Sequence, residues 1–232
     1  MSLPLFLVPA LPPGPSFVLD GAEGHHAADV QRITPGEALL LADGRGGVVR
    51  AVVAAARKGA LTLELDEHTF EPAPDPALTV VQGIAKGERA ELAVQLLTEV
   101  GVDRIVPWQA ARSIARWKDE RPLERWRATA REAAKQSRRS WVPVVEPART
   151  TKQLALAGPV LVLHEEAAEP LSSVRLPASG EITLVVGPEG GVAPEELDLI
   201  GGTPVRLGRE VLRTSTAGAA AVAALSVRLG RW

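Results

Sequence analysis

Residues 71–77 read Glu-Pro-Ala-Pro-Asp-Pro-Ala, with proline at every second position from Pro72 to Pro76. Proline fixes φ and removes a backbone donor, so neither a sheet interior nor a helix can run through this stretch. The chain therefore divides into two parts, and their hydrophobic periods differ. Before the break, short apolar stretches (Phe17–Leu19, Ala38–Leu41, Val48–Ala54, Leu61–Leu65) alternate with turn signals such as Asp20-Gly21 and Asp43-Gly44-Arg45-Gly46-Gly47. Closely spaced strands with glycine turns predict an all-β first domain over residues 1–72, closed as a small barrel. After the break, apolar strands alternate with helical patterns. Strands are predicted at 78–84, 104–107, 142–145, 160–164, 182–187 and 203–207. Helices are predicted at 88–100, 122–139, from Pro194 onward, and at 212–229. Alternating β and α predicts an α/β domain over 78–232, built on a mostly parallel sheet covered on both faces.

Charge is unevenly placed. The 232 residues carry a formal net charge of −2, yet residues 104–139 hold 11 Lys and Arg against four Asp and Glu. That span is +7 and the remainder −9. A basic block in an acidic chain is a footprint for a polyanion or a solvated, salt-bridged helix face. Within the helix, Arg127, Arg131, Lys135 and Arg138 share one side. Trp108, Trp117, Trp126 and Trp141 lie in or beside the block, where they can pack in a core or stack on bases. The chain has no cysteine, which excludes disulfides, thiolate nucleophiles and thiolate metal sites and makes a cytoplasmic protein the expectation. Its four histidines lack metal-ligand spacing, so no metal is expected. No apolar run is long enough for a membrane helix. The opening MSLPLFLVPALPPG is not expected to be a secretory signal, because the first Lys or Arg is Arg32 and prolines interrupt it.

Three loops in the second half follow predicted strands. The first is Leu163-His164-Glu165, the second Gly187-Pro188-Glu189-Gly190-Gly191. The third runs from Leu207-Gly208 through Leu212, Arg213, Thr214 and Ser215 to Ala217. Ligands of open α/β sheets bind beyond the carboxyl ends of strands, and glycines let a backbone approach a ligand closely. A branched side chain at Gly190 is therefore expected to intrude on a bound ligand. The spacing matches neither the dinucleotide nor the Walker fingerprint, and there is no G-x-S-x-G.

At these loops the sequence resembles the SPOUT class of S-adenosylmethionine-dependent RNA methyltransferases, and within it the ribosomal RNA small subunit methyltransferase E family. The resemblance rests on His25–Arg32, Lys86–Glu91, Thr98–Pro107, Arg112-Ser113, Glu132–Arg139, Val186–Gly191 with Glu195, and Leu207-Gly208 followed by Leu212–Ala217. It implies a PUA-like barrel before a SPOUT domain with a trefoil knot at about residues 160–232. It also implies a homodimer and methylation of N3 of a uridine in 16S rRNA, with S-adenosylmethionine held by the three loops. Lys86, Arg112, Arg127, Arg131, Lys135, Arg138 and Arg139 would face RNA. Small residues Ala217–Ala224 suit tight packing of the last helix against the knot or a partner. Three features depart from the family pattern. Met1-Ser-Leu-Pro-Leu-Phe replaces an Arg-rich start, so no RNA contact is carried to the N-terminus; Glu210 stands where Arg is usual and Ser215 where Glu is usual, so no essential ionic role is carried to those two.

Deprotonated uridine N3 places negative charge on the ring and its carbonyl oxygens, so a nearby cation favours the transition state. Arg213 is the candidate for that role, with an ion pair to Glu189 as the structural alternative. Glu165, Glu189 or solvent would take the proton. The alternatives to this activity are a SPOUT enzyme acting elsewhere on RNA, such as a ribose 2′-OH, and a non-catalytic RNA-binding protein.

Overall fold

The computed structural model describes residues 3–232; Met1 and Ser2 of the expected N-terminal departure lie outside the described residues. The chain forms two compact units. One contains the residues up to Ala73 together with Ala134–Val142, the other Pro74–Ala133 and Pro143–Trp232.

Strands β1 (Leu5–Leu7), β2 (Ser16–Leu19), β3 (Ala38–Ala42), β4 (Gly47–Arg57) and β5 (Ala60–Phe70) form the first unit's sheet. They pair in the order β1-β3-β4-β5-β2, antiparallel except between β1 and β3, with β1 and β2 at the two ends of the ladder. Leu39 and Leu41, Val49, Ala51 and Val53, and Leu61 and Leu63 point into one core, the period-two signature of strands. The first 70 residues are not all β. Helix α1 (Gly21–His25) runs into a π-helical turn at His26–Val30, and Ala27 from that turn is fully buried. One or two turns are too short to show a helical period, which is why the sequence concealed them.

The Ala134–Val142 excursion is bound to the first unit through backbone. The Gly46 N–H donates to the Ser140 carbonyl at 3.2 Å, and the Val142 N–H to the Gly44 carbonyl at 3.0 Å. The Trp141 indole N–H donates to the Glu71 carbonyl at 2.9 Å. Gly46 has φ +94°, and a Cβ there would lie 2.4 Å from the Glu71 oxygen and 2.8 Å from the Trp141 ring. Gly46→Ala should therefore lower unfolding free energy by about 1–3 kcal/mol, measurable as a shifted denaturation midpoint. An unchanged midpoint would show that the loop relaxes freely. Nothing in the local sequence marks residues 134–142 as belonging to the first unit, because the pairing is long-range.

In the second unit, β6 (Ala77–Gly83) leads to α2 (Arg89–Glu99) and β7 (Arg104–Gln109). Helix α3 (Arg121–Gln136) is followed by β8 (Val144–Val145) and β9 (Arg149–Thr150), both paired with β7 as one edge strand interrupted at Glu146-Pro147-Ala148. Then come β10 (Val160–Leu163), β11 (Glu181–Val186), α4 (Pro194–Ile200), β12 (Thr203–Val205) and α5 (Thr214–Arg228). Every pairing is parallel, in the order β12-β10-β11-β6-β7-β8. Adjacent residues serve opposite faces. Val80, Leu161 and Leu184 pack with residues of α2, α3 and α5, while Val81, Val162 and Val185 pack with Trp108 and Ile200. Both faces are thus covered, as buried parallel strands require.

Helix α5 lies against α2, β6 and β11, and a Cβ on Gly218 would sit 3.2 Å from Gln82, Leu97 and Val186. Gly218 thus allows the helix to approach these residues closely. Beyond α5, the Arg231 guanidinium bonds Asp103 at 2.9 Å and the Gly101 carbonyl at 3.2 Å. The same Asp103 carboxylate accepts the Leu78 N–H, so the C-terminal residues are tied to the start of β6. No helix among the described residues is long and apolar enough to cross a membrane.

Candidate cofactor site

Three parallel strands end side by side, and the loops that leave them meet. The loop after β10 carries His164 and Glu165, that after β11 carries Gly187–Gly191, and that after β12 carries Leu207–Arg213. They line one cavity of about 630 Å³ together with Leu163, Thr214, Ser215 and Ala217. Every residue the sequence assigned to the cofactor is on its wall, and so is Arg213. The volume falls within the ~300–1,000 Å³ of small-molecule sites.

Specific contacts hold the loops in place. The His164 N–H donates to the Val205 carbonyl at 2.9 Å, joining the ends of β10 and β12. The Arg206 guanidinium binds the carbonyls of Ala167 and Ala168, which ties the first loop to the third. The start of α5 is held by Gln82, a buried side chain whose amide donates to the Thr214 carbonyl at 3.3 Å. Sequence reasoning missed Gln82 because it sits inside an apolar strand with no motif around it.

Gly83, at the end of β6, was also missed. A Cβ there would lie 2.5 Å from the Pro188 nitrogen, 2.8 Å from the Gly187 carbonyl carbon and 2.9 Å from the Val186 oxygen. The Gly-Pro-Glu-Gly-Gly loop can cross β6 only because this position lacks a side chain. Gly190 differs from the expectation. Its missing Cβ would face Arg112, 3.0 Å from that residue's Cβ and 3.1 Å from its carbonyl oxygen. A larger residue at 190 would thus first displace Arg112, whose guanidinium donates to the Gly190 carbonyl at 3.3 Å.

Arg112, expected only to contact RNA, therefore lines the cavity, as does Arg89, which lies within the Lys86–Glu91 motif but was not expected at the site. The segment bearing Arg112 is anchored by a buried carboxylate. Glu196 accepts the Ala111 N–H at 2.9 Å and the Thr151 hydroxyl, which itself accepts the Trp108 indole N–H at 3.1 Å. Its neighbour Glu195, part of the matching motif, is exposed.

The alternative of an Arg213–Glu189 ion pair is not formed. Glu189 accepts the Lys86 backbone N–H at 3.2 Å, and Arg213 is exposed at the N-cap of α5 with no ion-pair partner among the described residues. Glu210 lines the cavity and is exposed, whereas Ser215 is 4% exposed in the first turn of α5. A carboxylate in the Ser215 position would have to be desolvated. No group of three or more His, Cys, Asp or Glu among the described residues could hold a metal.

The basic side of α3 is not one uniform stripe. Arg127 is exposed, and its guanidinium engages Glu124 at 2.8 Å and the Val145 carbonyl at 3.4 Å. Arg131 and Arg139 are half-buried and Arg138 exposed, while Lys86 is exposed at the turn into α2. The Lys135 side chain is only 11% exposed and pairs with Glu23 at 3.0 Å. Helical spacing showed which side these residues share, but not what covers it.

Comparison with known proteins agrees with this geometry. An RNA methyltransferase domain family model matches residues 71–226, and an RNA methyltransferase PUA domain model matches residues 19–66. Ribosomal RNA small subunit methyltransferase E of Mycobacterium bovis is 46% identical over 243 aligned positions, covering 98% of this chain and 93% of the relative. The Bacillus subtilis protein of the same name is 30% identical, covering 91% of this chain and 90% of its own length. A crystal structure of ribosomal RNA small subunit methyltransferase E from Neisseria gonorrhoeae, bound to S-adenosylmethionine, superposes with a TM-score of 0.87 at 30% identity, covering 98% of each chain. With an RNA methyltransferase model matched over residues 71–226 and named relatives 46% and 30% identical over more than nine-tenths of the chain, the chain belongs to the ribosomal RNA small subunit methyltransferase E family.

Proposed function

We propose that this protein transfers the methyl group of S-adenosylmethionine to N3 of a uridine in 16S rRNA, as a homodimer in the cytoplasm. The observation that carries the reading is the convergence of the three strand-end loops on one 630 Å³ cavity with an uncompensated arginine on its wall. The cavity suits the cofactor chemically. Glycines at 187, 190, 191 and 208 keep much of its wall main chain, and the N–H groups of Leu207, Gly208 and Leu212 have no hydrogen-bond partner among the described residues. Such walls offer donors to the heteroatoms of a nucleoside. When bound, S-adenosylmethionine supplies an activated methyl group on a sulfonium.

The chain's own task is to align uridine N3, exclude water and stabilise the charge left when the N3 proton departs. Arg213 would face that charge, because no carboxylate competes for its guanidinium. Glu189 is partly engaged by the Lys86 N–H, which leaves Glu165 or solvent as the more available proton acceptor. The uridine must leave its stack to reach the cavity. The segments 1–72 and 78–232 would serve as RNA-holding and catalytic domains, with residues 134–142 added to the first. The trefoil knot expected at residues 160–232 is part of this reading through the family resemblance, and the strand order β12-β10-β11-β6 is compatible with it.

Mass spectrometry of 16S rRNA from a deletion strain tests the activity. Loss of one N3-methyluridine is expected. Loss of a ribose methyl group would move the reaction to another atom. A protein that binds no S-adenosylmethionine by calorimetry would be an RNA binder only.

Dimerisation is supported by large apolar side chains left exposed on the cavity's third loop and near Arg112, with Val211 at 73% and Ile114 at 69%. Sedimentation should give a particle of twice the 24.5 kDa chain mass at micromolar concentration. A species of single-chain mass would reject it.

If α3 holds phosphate, Arg127→Ala with Arg138→Ala should weaken RNA binding. The double substitution should flatten the slope of log K against log salt by about one to two units. Lys135 is a poorer choice than the sequence suggested, because its side chain is largely buried against Glu23, whereas Arg127 and its partner Glu124 stay exposed. An unaltered slope would remove this side of the helix from the RNA interface.

A further inference from the structure

The four tryptophans of the basic region have separate fates. Trp108 and Trp126 are 0% and 1% exposed and belong to the core. Trp141 is bound to the Glu71 carbonyl and packs edge-on to Phe70. Trp117 is half-buried and stands on the wall of a cavity.

That cavity is a second one, of about 490 Å³, distinct from the cofactor cavity but built on the same two segments. Around the start of α2, Arg89 lines the first cavity while Gly87, Glu88 and Ala90 line the second. In the following segment, Arg112 lines the first while Ala115, Arg116 and Trp117 line the second. Three residues of chain span at most about 11 Å, so the two cavities lie within reach of adjacent nucleotides.

The indole is fixed in place. Its ring meets Trp126 edge-on at 88° with centroids 5.1 Å apart. Gln109 clamps the segment, accepting the Trp117 N–H at 3.4 Å and donating to the Ala115 carbonyl at 2.9 Å. Arg116 is exposed and has no ion-pair partner among the described residues, and Arg125 stands on the same wall, 3.1 Å from Glu91. A rigid aromatic surface beside an uncompensated guanidinium is the pairing that stacks a base and holds its phosphate.

We infer that this cavity receives a nucleobase of the RNA neighbouring the one carried to the cofactor, stacked on Trp117 with its phosphate at Arg116. The inference rests on the RNA methyltransferase reading and adds a substrate subsite to it.

The test uses the full-length protein with 16S rRNA. It measures equilibrium RNA binding without cofactor, the KM for RNA, and S-adenosylmethionine affinity by calorimetry. Trp117→Leu keeps an apolar contact for Trp126 and removes the stacking surface, while Trp117→Phe keeps a ring. Trp117→Leu should weaken RNA binding by about 10- to 100-fold, Trp117→Phe by less than about threefold, and neither should alter cofactor affinity. Arg116→Ala should lower the salt slope by about one unit. RNA binding by Trp117→Leu equal to wild type would overturn the proposal, and so would equal losses in the Leu and Phe variants, which would mark a packing role. A wild-type protein that neither binds nor methylates RNA would instead bring down the activity on which the inference rests.

Discussion

Arg213→Ala is expected to slow methyl transfer by about 100- to 1,000-fold while leaving S-adenosylmethionine affinity close to wild type. The guanidinium lines the cavity, is exposed, and has no carboxylate partner among the described residues. Its charge is therefore available to a substrate. Its structural contribution is made by main chain, since the Arg213 carbonyl accepts the N–H groups of Thr216 and Ala217 at 2.9 Å and alanine retains that carbonyl. Arg213→Lys keeps the charge without the planar fork and should recover part of the rate. Single-turnover transfer to 16S rRNA gives the chemical step, and calorimetry with the cofactor gives binding. If the alanine variant transfers methyl groups within about threefold of wild type, Arg213 does not stabilise the transition state.

Gly83→Val is expected to remove measurable cofactor binding, a loss of about 100-fold or more, although residue 83 is not on the cavity wall. Each atom that a Cβ would strike belongs to the backbone of Val186, Gly187 or Pro188, so no side-chain rotation can relieve the overlap. The loop must move, and such overpacking typically costs about 1–3 kcal/mol of stability as well. Gly83→Ala carries the same first atom and should show a smaller loss in the same direction. Gly14→Ala is a suitable control, because nothing lies within 4 Å of its added carbon. Calorimetry and a denaturation curve on each variant separate the two effects. Full cofactor affinity in Gly83→Val would mean that the loop's position does not govern binding. Gly190→Val should act differently, by pushing Arg112 aside, so its RNA-dependent rate should suffer along with its cofactor affinity.

Much of this was legible in the sequence. Alternation in Leu61–Leu65, the prolines at 72, 74 and 76, and the apolar runs at 160–163 and 182–186 are local signals, and local signals set strand and helix type. The three loops could be named as one site because parallel strands in one sheet end on the same side, so glycines after successive strands share an edge. The tertiary structure decided matters that no local period contains. Gly83 and Gln82 look like ordinary strand residues until Pro188 and Thr214, about 100 or more positions away, are placed over them. Ala134–Val142 reads as the end of a helix and a strand, yet its hydrogen bonds go to Gly44, Gly46 and Glu71. Lys135 carries the same charge as Arg127 and both meet a carboxylate, but only the fold shows that the Lys135 pair with Glu23 is largely buried while the Arg127 pair with Glu124 stays exposed. Composition and spacing specify what a segment prefers to become. Close approach, pairing and desolvation depend on which distant segment arrives, and only the folded chain determines that.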